Sequence, residues 1–215
     1  MVARGLERKF RRGSEEVVAI TGVDLEIFRG QLVALVGPSG SGKTTLLNVL
    51  CGWEVPDRGT VSWNGAPVPL ADIGWAGLAL VPQTPGLIED MTVSENVGLP
   101  FRLTNATPES TKDAVEEVLE ALGLSELEGR YPDEMSLGEQ QRASVARALV
   151  LQPDLLLADE PTAHQDERSM ARVLHAIREV VETDKACIVA SHNPEVLDAA
   201  DRIVEMRDGR LSERI

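Results

Sequence analysis

The chain has 215 residues, with 21 lysines and arginines against 35 aspartates and glutamates, a formal net charge of −14. That length fits one domain, with room for a subdomain and a full core, and the acidity argues against nucleic acid or an anionic membrane surface as the main partner. No apolar run reaches the roughly 18 residues of a membrane span, and none follows Met1-Val2-Ala3-Arg4-Gly5, so neither a transmembrane segment nor a secretory leader is expected.

Residues 1 to about 83 predict mostly short strands and turns. The apolar run Leu32-Val33-Ala34-Leu35-Val36 predicts a buried strand, and Thr45-Leu46-Leu47-Asn48-Val49-Leu50 a helix start. Pro56-Asp57-Arg58-Gly59 is a turn signal, and Asn64-Gly65 after Thr60-Val61-Ser62-Trp63 predicts a hairpin. Residues 84–107 are punctuated by Pro, Gly, Asn and Thr, with a short helix from Ser94. Residues 109–122 keep a helical period that puts Val115, Val118, Leu119 and Leu122 on one face, with Pro108 near the start and Gly123 just past the end. A second helix is predicted over 139–151, stopped before Pro153. Strands follow at 155–158 and 186–190, with a helix over 167–181 between them and a terminal hairpin over 203–211 turning at Asp208-Gly209. Strand–helix–strand alternation with continuously apolar strands predicts a parallel sheet covered on both faces. Cys51 and Cys187 both lie in apolar runs, which predicts buried free thiols in a reducing compartment rather than a disulfide.

Between the first apolar strand and the first helix, residues 37–44 read Gly-Pro-Ser-Gly-Ser-Gly-Lys-Thr. This is the G-x-x-x-x-G-K-[ST] phosphate loop in its strand–loop–helix context. Gly37, Gly40 and Gly42 allow a tight turn whose N–H groups point inward, and the following helix adds the positive end of its dipole. Ser39, Ser41 and Thr45 fall in the same phosphate-holding run. Lys43 is placed to reach the β- and γ-phosphates, and the Thr44 hydroxyl to ligand Mg²⁺. A nucleoside triphosphate is the implied ligand. Asp159-Glu160 follows the strand at 155–158, and ligands of α/β sheets sit beyond the carboxyl ends of strands. Asp159 is therefore expected to hold Mg²⁺ through water, and Glu160 to act as general base toward an attacking water.

Three further segments complete an ordered set: Leu80-Val81-Pro82-Gln83, Met135-Ser136-Leu137-Gly138-Glu139-Gln140-Gln141-Arg142 and Ser191-His192-Asn193. With the phosphate loop and Asp159-Glu160, they resemble the nucleotide-binding domain of ATP-binding cassette (ABC) transporters over nearly the whole chain. The resemblance implies a phosphate-loop NTPase fold with a RecA-like parallel sheet core, an N-terminal antiparallel β-subdomain and a helical signature subdomain. The division it implies is a single domain over 1–215, with the core in about 1–83 and 146–215 and the helical part in about 88–145. It implies that Gln83 touches Mg²⁺ or the attacking water and links the site to a membrane partner. Ser136, Gly138 and Glu139 would grip the nucleotide held by an opposing subunit, and Ser136 is also placed to cap the helix that follows. Asp166 matches the loop crossing a dimer interface, His192 a histidine that hydrogen-bonds the γ-phosphate, and Phe10, with Val17 beside it, the aromatic that stacks on adenine. ATP and Mg²⁺ are the implied ligands. A second cassette (a homodimer) and a transmembrane permease are the implied partners, holding a cytoplasmic chain to the inner face of the membrane. No nucleic-acid partner is expected.

Residues 15–25, 37–47 and 139–142 resemble the short cassettes of the macrolide-export and lipoprotein-release branch. No regulatory domain is expected after Ile215. Two departures stand out. The usual Leu-Ser-Gly-Gly signature reads Met135-Ser136-Leu137-Gly138, where Leu137 is expected to disfavour the positive φ open to glycine. The interface loop carries polar His164 and Gln165 in Ala163-His164-Gln165-Asp166. Both are expected to tune dimer closure, and they also fit a different class, an ATP-switched regulatory or scaffold module with little turnover. A soluble ABC protein of DNA repair or translation fits less well, because those carry two cassettes or long insertions. A small-molecule kinase would leave Ser136, Gly138 and His192 unexplained.

Overall fold

A computed structural model of the chain describes residues 1–13, 15–67, 73–74, 76–104 and 108–213. The end of the punctuated stretch, 105–107, lies outside the described residues, as do 214–215.

The N-terminal region is built from longer strands than its pattern suggests. β1 (Val2–Arg12) and β2 (Glu15–Glu26) form an antiparallel pair with Phe10 opposite Val17. Register shifts between Ala3 and Leu6, Leu6 and Arg8, and Arg8 and Lys9 break the two-residue alternation, which is why the sequence reads as shorter pieces. β4 (Arg58–Trp63) pairs with the other edge of β1, and β5 (Ala66–Pro67) follows, giving the order β2-β1-β4-β5. The Asn64-Gly65 hairpin forms as expected, with φ of 49° and 81°. The turn expected over 56–59 is shorter, because Arg58 already pairs with Glu7 in β4.

The second sheet has the order β10-β9-β3-β8-β7-β6. Its strands are β3 (Gln31–Val36), β6 (Leu78–Val81), β7 (Leu155–Asp159), β8 (Ala186–Ala190), β9 (Arg202–Arg207) and β10 (Arg210–Glu213). β6, β7, β8, β3 and β9 are mutually parallel; β10 returns antiparallel as the predicted terminal hairpin. The helices are α1 (Lys43–Leu50), α2 (Val93–Thr104), α3 (Pro108–Ala121), α4 (Leu137–Leu149), α5 (Glu167–Glu182) and α6 (Pro194–Ala199).

Both faces of the parallel sheet are buried, and the strand period of two sorts side chains between them. Val33 and Leu35, Leu155 and Leu157, and Ile188 and Ala190 pack with α1 and with Leu6, Ile20 and Leu25 of the antiparallel sheet. Leu32, Leu156 and Ala158, and Cys187 and Val189 face the opposite layer, with Val97 of α2, Val115 and Leu119 of α3, Val145 of α4 and Val173 and Ile177 of α5. Cys51 and Cys187 are buried and free, as expected. Among the described residues, no helix is long and apolar enough to cross a membrane.

Candidate functional site

The parallel sheet decides which loops meet. β3, β7 and β8 are neighbours pointing the same way, so the loops leaving their carboxyl ends converge: 37–42 after β3, Glu160 after β7, Ser191 and His192 after β8. β6 ends beside them and leads into Pro82 and Gln83.

The loop at 37–42 is held by close packing. An ideal β-carbon on Gly42, at φ 108°, would lie 2.3 Å from the Ala19 carbonyl oxygen of β2, so only glycine fits the start of α1. The same contact sets the N-terminal sheet against the loop, and Val17 precedes Ala19 by two residues on the same strand. Phe10 therefore stands across from a residue one alternation away from the loop, and the guanidinium of Arg8 covers one face of its ring at 4.8 Å from the centroid.

Inside the loop, Lys43 Nζ donates to the carbonyls of Gly37 (2.8 Å) and Pro38 (3.1 Å), so the ammonium folds over its own loop. The Ser41 hydroxyl is buried and has no partner among the described residues. Thr44 Oγ1 donates to Asp159 Oδ2 at 2.6 Å, joining the first turn of α1 to the end of β7. Asp159 is only 4 % exposed. Burial pushes its carboxyl pKa up, the neighbouring Glu160 adds to this, and the Thr44 hydrogen bond and the charge of Lys43 oppose it.

Among the described residues, a buried acid bonded by a hydroxyl, an orphan hydroxyl and a lysine bonded to carbonyls lie side by side, an arrangement that fits a phosphate and a divalent cation arriving together. Among the described residues no three His, Cys, Asp or Glu side chains form a complete metal site. The oxygens of Thr44 and Asp159 are donors of the kind Mg²⁺ takes, one or two from protein before phosphate and water complete its shell.

Glu160 has φ 50°, a left-handed conformation that costs a non-glycine residue about 1–3 kcal/mol and clusters at functional sites. Its N–H donates to the Ala190 carbonyl at 2.8 Å. One carboxylate oxygen lies 2.9 Å from His192 Nδ1, and the other accepts from Ser191 Oγ at 3.0 Å. Gln83 is exposed just past β6. The structure thus brings Gly37 to Thr44, Asp159, Glu160 and His192 together. His192, expected to face a phosphate, here faces Glu160.

Ser136, Gly138, Glu139 and Asp166 form a second group. Ser136 caps α4: its hydroxyl accepts from Glu139 N at 3.3 Å, while the Glu139 carboxylate accepts from Ser136 N at 2.8 Å. This helix begins at Leu137, two residues before the expected start, because the capping box fixes it there. Leu137 is its first residue and is not among the positive-φ positions, so the expected strain at this substitution is absent. Asp166 caps α5 by accepting from Ser169 N at 2.8 Å. Among the described residues, no hydrogen bond joins this group to the first. Sequence reasoning missed the contact of Ser191 with Glu160 and that of Arg8 with Phe10. The first had a signal, a hydroxyl residue directly before His192 at a strand end; the second had none beyond proximity.

A family model described as ABC transporter matches residues 20–163. The chain is 36% identical to the lipoprotein-releasing system ATP-binding protein LolD 2 of Caulobacter vibrioides, covering 98% of this chain and 96% of that protein. It is 39% identical to LolD of Gluconobacter oxydans, covering 96% and 93%. The macrolide export ATP-binding/permease protein MacB of an Azoarcus species is 37% identical over 96% of this chain but 32% of its own length. Among solved structures, a dimeric post-hydrolysis state of the ATP-binding cassette MJ0796 bound to ADP and Pi superposes with a TM-score of 0.92 at 28% identity, covering 99% of this chain and 97% of that one.

Proposed function

Because the chain belongs to the ABC transporter family, we propose that it is the ATP-binding and ATP-hydrolysing subunit of a transporter, closing as a homodimer on ATP to drive a separate membrane permease. The reading places the chain in the macrolide-export and lipoprotein-release branch, doing export or mechanical work across the envelope. It acts from the cytoplasmic face, to which the permease holds it. The chain works as one cassette, with 88–145 as its helical part and Gln83 at the base of that part, passing closure to the permease.

The observation that carries this reading is the Thr44–Asp159 hydrogen bond, with Glu160 next in the chain. Thr44, Asp159 and Gln83 would hold magnesium, which when bound supplies charge that neutralises phosphate oxygens. Lys43 and the inward N–H groups of 37–44 neutralise the β- and γ-phosphates. Glu160 takes the proton of an attacking water, and His192 leaves it to hydrogen-bond the γ-phosphate. Phe10 offers adenine the ring face that Arg8 does not cover, with Val17 opposite it on β2. Ser136, Gly138, Glu139 and Asp166, set apart from these groups within the chain, meet the nucleotide of the opposing copy. The capped start of α4 presents its positive dipole end there.

Glu160→Gln tests the assignment. It should keep ATP affinity, lose turnover by roughly 10²–10⁴-fold, and leave an ATP-bound dimer on size exclusion. Wild-type turnover in that variant would remove Glu160 from the role.

A further inference from the structure

We propose that Ser191 is a positioning residue: its hydroxyl holds the Glu160 carboxylate in place while His192 is free to leave it. This rests on the reading of Glu160 as the general base.

The two oxygens of Glu160 have unlike partners. Ser191 is 1% exposed, whereas the His192 side chain is 87% exposed. One partner belongs to the frame of the protein and the other to its surface. Ser191 N donates to the Leu35 carbonyl of β3 at 3.3 Å, the strand that feeds the phosphate loop. Its hydroxyl oxygen accepts from Asn193 N at 3.2 Å at the start of α6, and its single proton points to Glu160 Oε2 at 3.0 Å. A carboxylate only accepts, so the direction of that last bond is settled.

Ser191 therefore ties the ends of β3, β7 and β8 into one arrangement, with Glu160 as its outer member. The Glu160 backbone is already fixed by its left-handed φ and by its bond to Ala190. What remains free is a glutamate side chain with three rotatable bonds, and a general base works only when aimed. With His192 alone as partner, each departure of the imidazole would release the carboxylate. With Ser191 in place, one oxygen stays tethered and the other becomes available.

The experiment measures steady-state ATPase and ATP affinity on the full chain for Ser191→Ala, Ser191→Thr and Glu160→Gln. Ser191→Ala should lower kcat roughly 10-fold, the loss of one hydrogen bond to a charged group, with KM and ATP affinity unchanged. Ser191→Thr, which keeps the hydroxyl, should restore kcat. Wild-type kcat in Ser191→Ala beside an inactive Glu160→Gln overturns the positioning role and leaves the base assignment standing. Equal defects in Ser191→Ala and Ser191→Thr, or a matching loss of ATP affinity, also overturn it. Turnover in Glu160→Gln removes the base, and this role with it.

Discussion

Gly138 and His164 meet backbone to backbone: an ideal β-carbon on Gly138 would lie 2.5 Å from the His164 carbonyl oxygen. His164 holds φ 60°, a conformation histidine tolerates better than most residues. The start of α4 and the loop before α5 are therefore one packed unit within a single chain. Gly138→Ala presses on a backbone carbonyl rather than a pliable side chain, so it should destabilise the fold by roughly 1–3 kcal/mol. A urea midpoint equal to wild type would show that the loop gives way freely. The same packing gives Gly138 a reason to be glycine that is independent of any ligand.

Among the described residues, Lys43 makes its hydrogen bonds to carbonyls of its own loop, at Gly37 and Pro38. Those bonds cross a short span and link no distant elements. Lys43→Ala should leave thermal stability nearly unchanged and weaken ATP binding by roughly 100-fold, the order expected from losing charge-assisted bonds to phosphate. Calorimetry checks this, and wild-type affinity would contradict the phosphate-loop reading.

The parts of the fold legible in the sequence are those where one local rule acts alone. The strand at 186–190 is found as expected, because every residue in it is buried and nothing interrupts the run. In the sequence α2 reads as a short helix, since Gly98 and Pro100 look like breakers. It runs from Val93 to Thr104, started by reciprocal bonds between Thr92 and Glu95 and held by buried Asn96, whose amide donates to the carbonyls of Ile88 and Met91. The Asn96 contacts act across a loop and leave no period to read. The same holds at the site. The loop at 37–44 is legible because its spacing is its chemistry, whereas the grip of Ser191 on Glu160 depends on β7 and β8 being neighbours, which only the sheet order reveals.

Asp201 accepts from Leu32 N at 2.7 Å and from Arg178 at 2.9 Å, pinning α5 and the start of β9 to the start of β3. Partial burial pushes its pKa up, but the Leu32 N–H and the Arg178 guanidinium outweigh this and leave it below the ordinary carboxylate value. A depressed carboxylate stabilises the fold above its unfolded pKa, and that contribution disappears as pH falls through the folded pKa. Asp201→Asn should therefore lower the urea midpoint at neutral pH, with the difference from wild type shrinking below about pH 4. A gap that stays constant down to acid pH would show that the carboxylate charge contributes nothing.

Arg147 lies on α4, partly buried, and no carboxylate pairs with it among the described residues. Instead its two terminal nitrogens donate to the carbonyls of Gly86 (2.8 Å) and Pro85 (2.9 Å), while Gln141, higher on the same helix, reaches the Pro82 carbonyl at 3.4 Å. Burial lowers its pKa, yet a guanidinium remains charged in proteins, so the fork stays a double donor. The segment 82–86, which contains Gln83, is thus joined to α4 at two heights. Arg147→Met removes both bonds and leaves two carbonyls without a donor, at a cost of roughly 1–3 kcal/mol. Arg147→Lys keeps the charge but lacks the planar fork that spans both carbonyls, so it should recover only part of that stability. Amide exchange across 82–88 should speed up in Arg147→Met while β7 and β8 stay protected, since the loosening is local. Uniform protection across the loop in that variant would show that the segment is held by something other than this side chain.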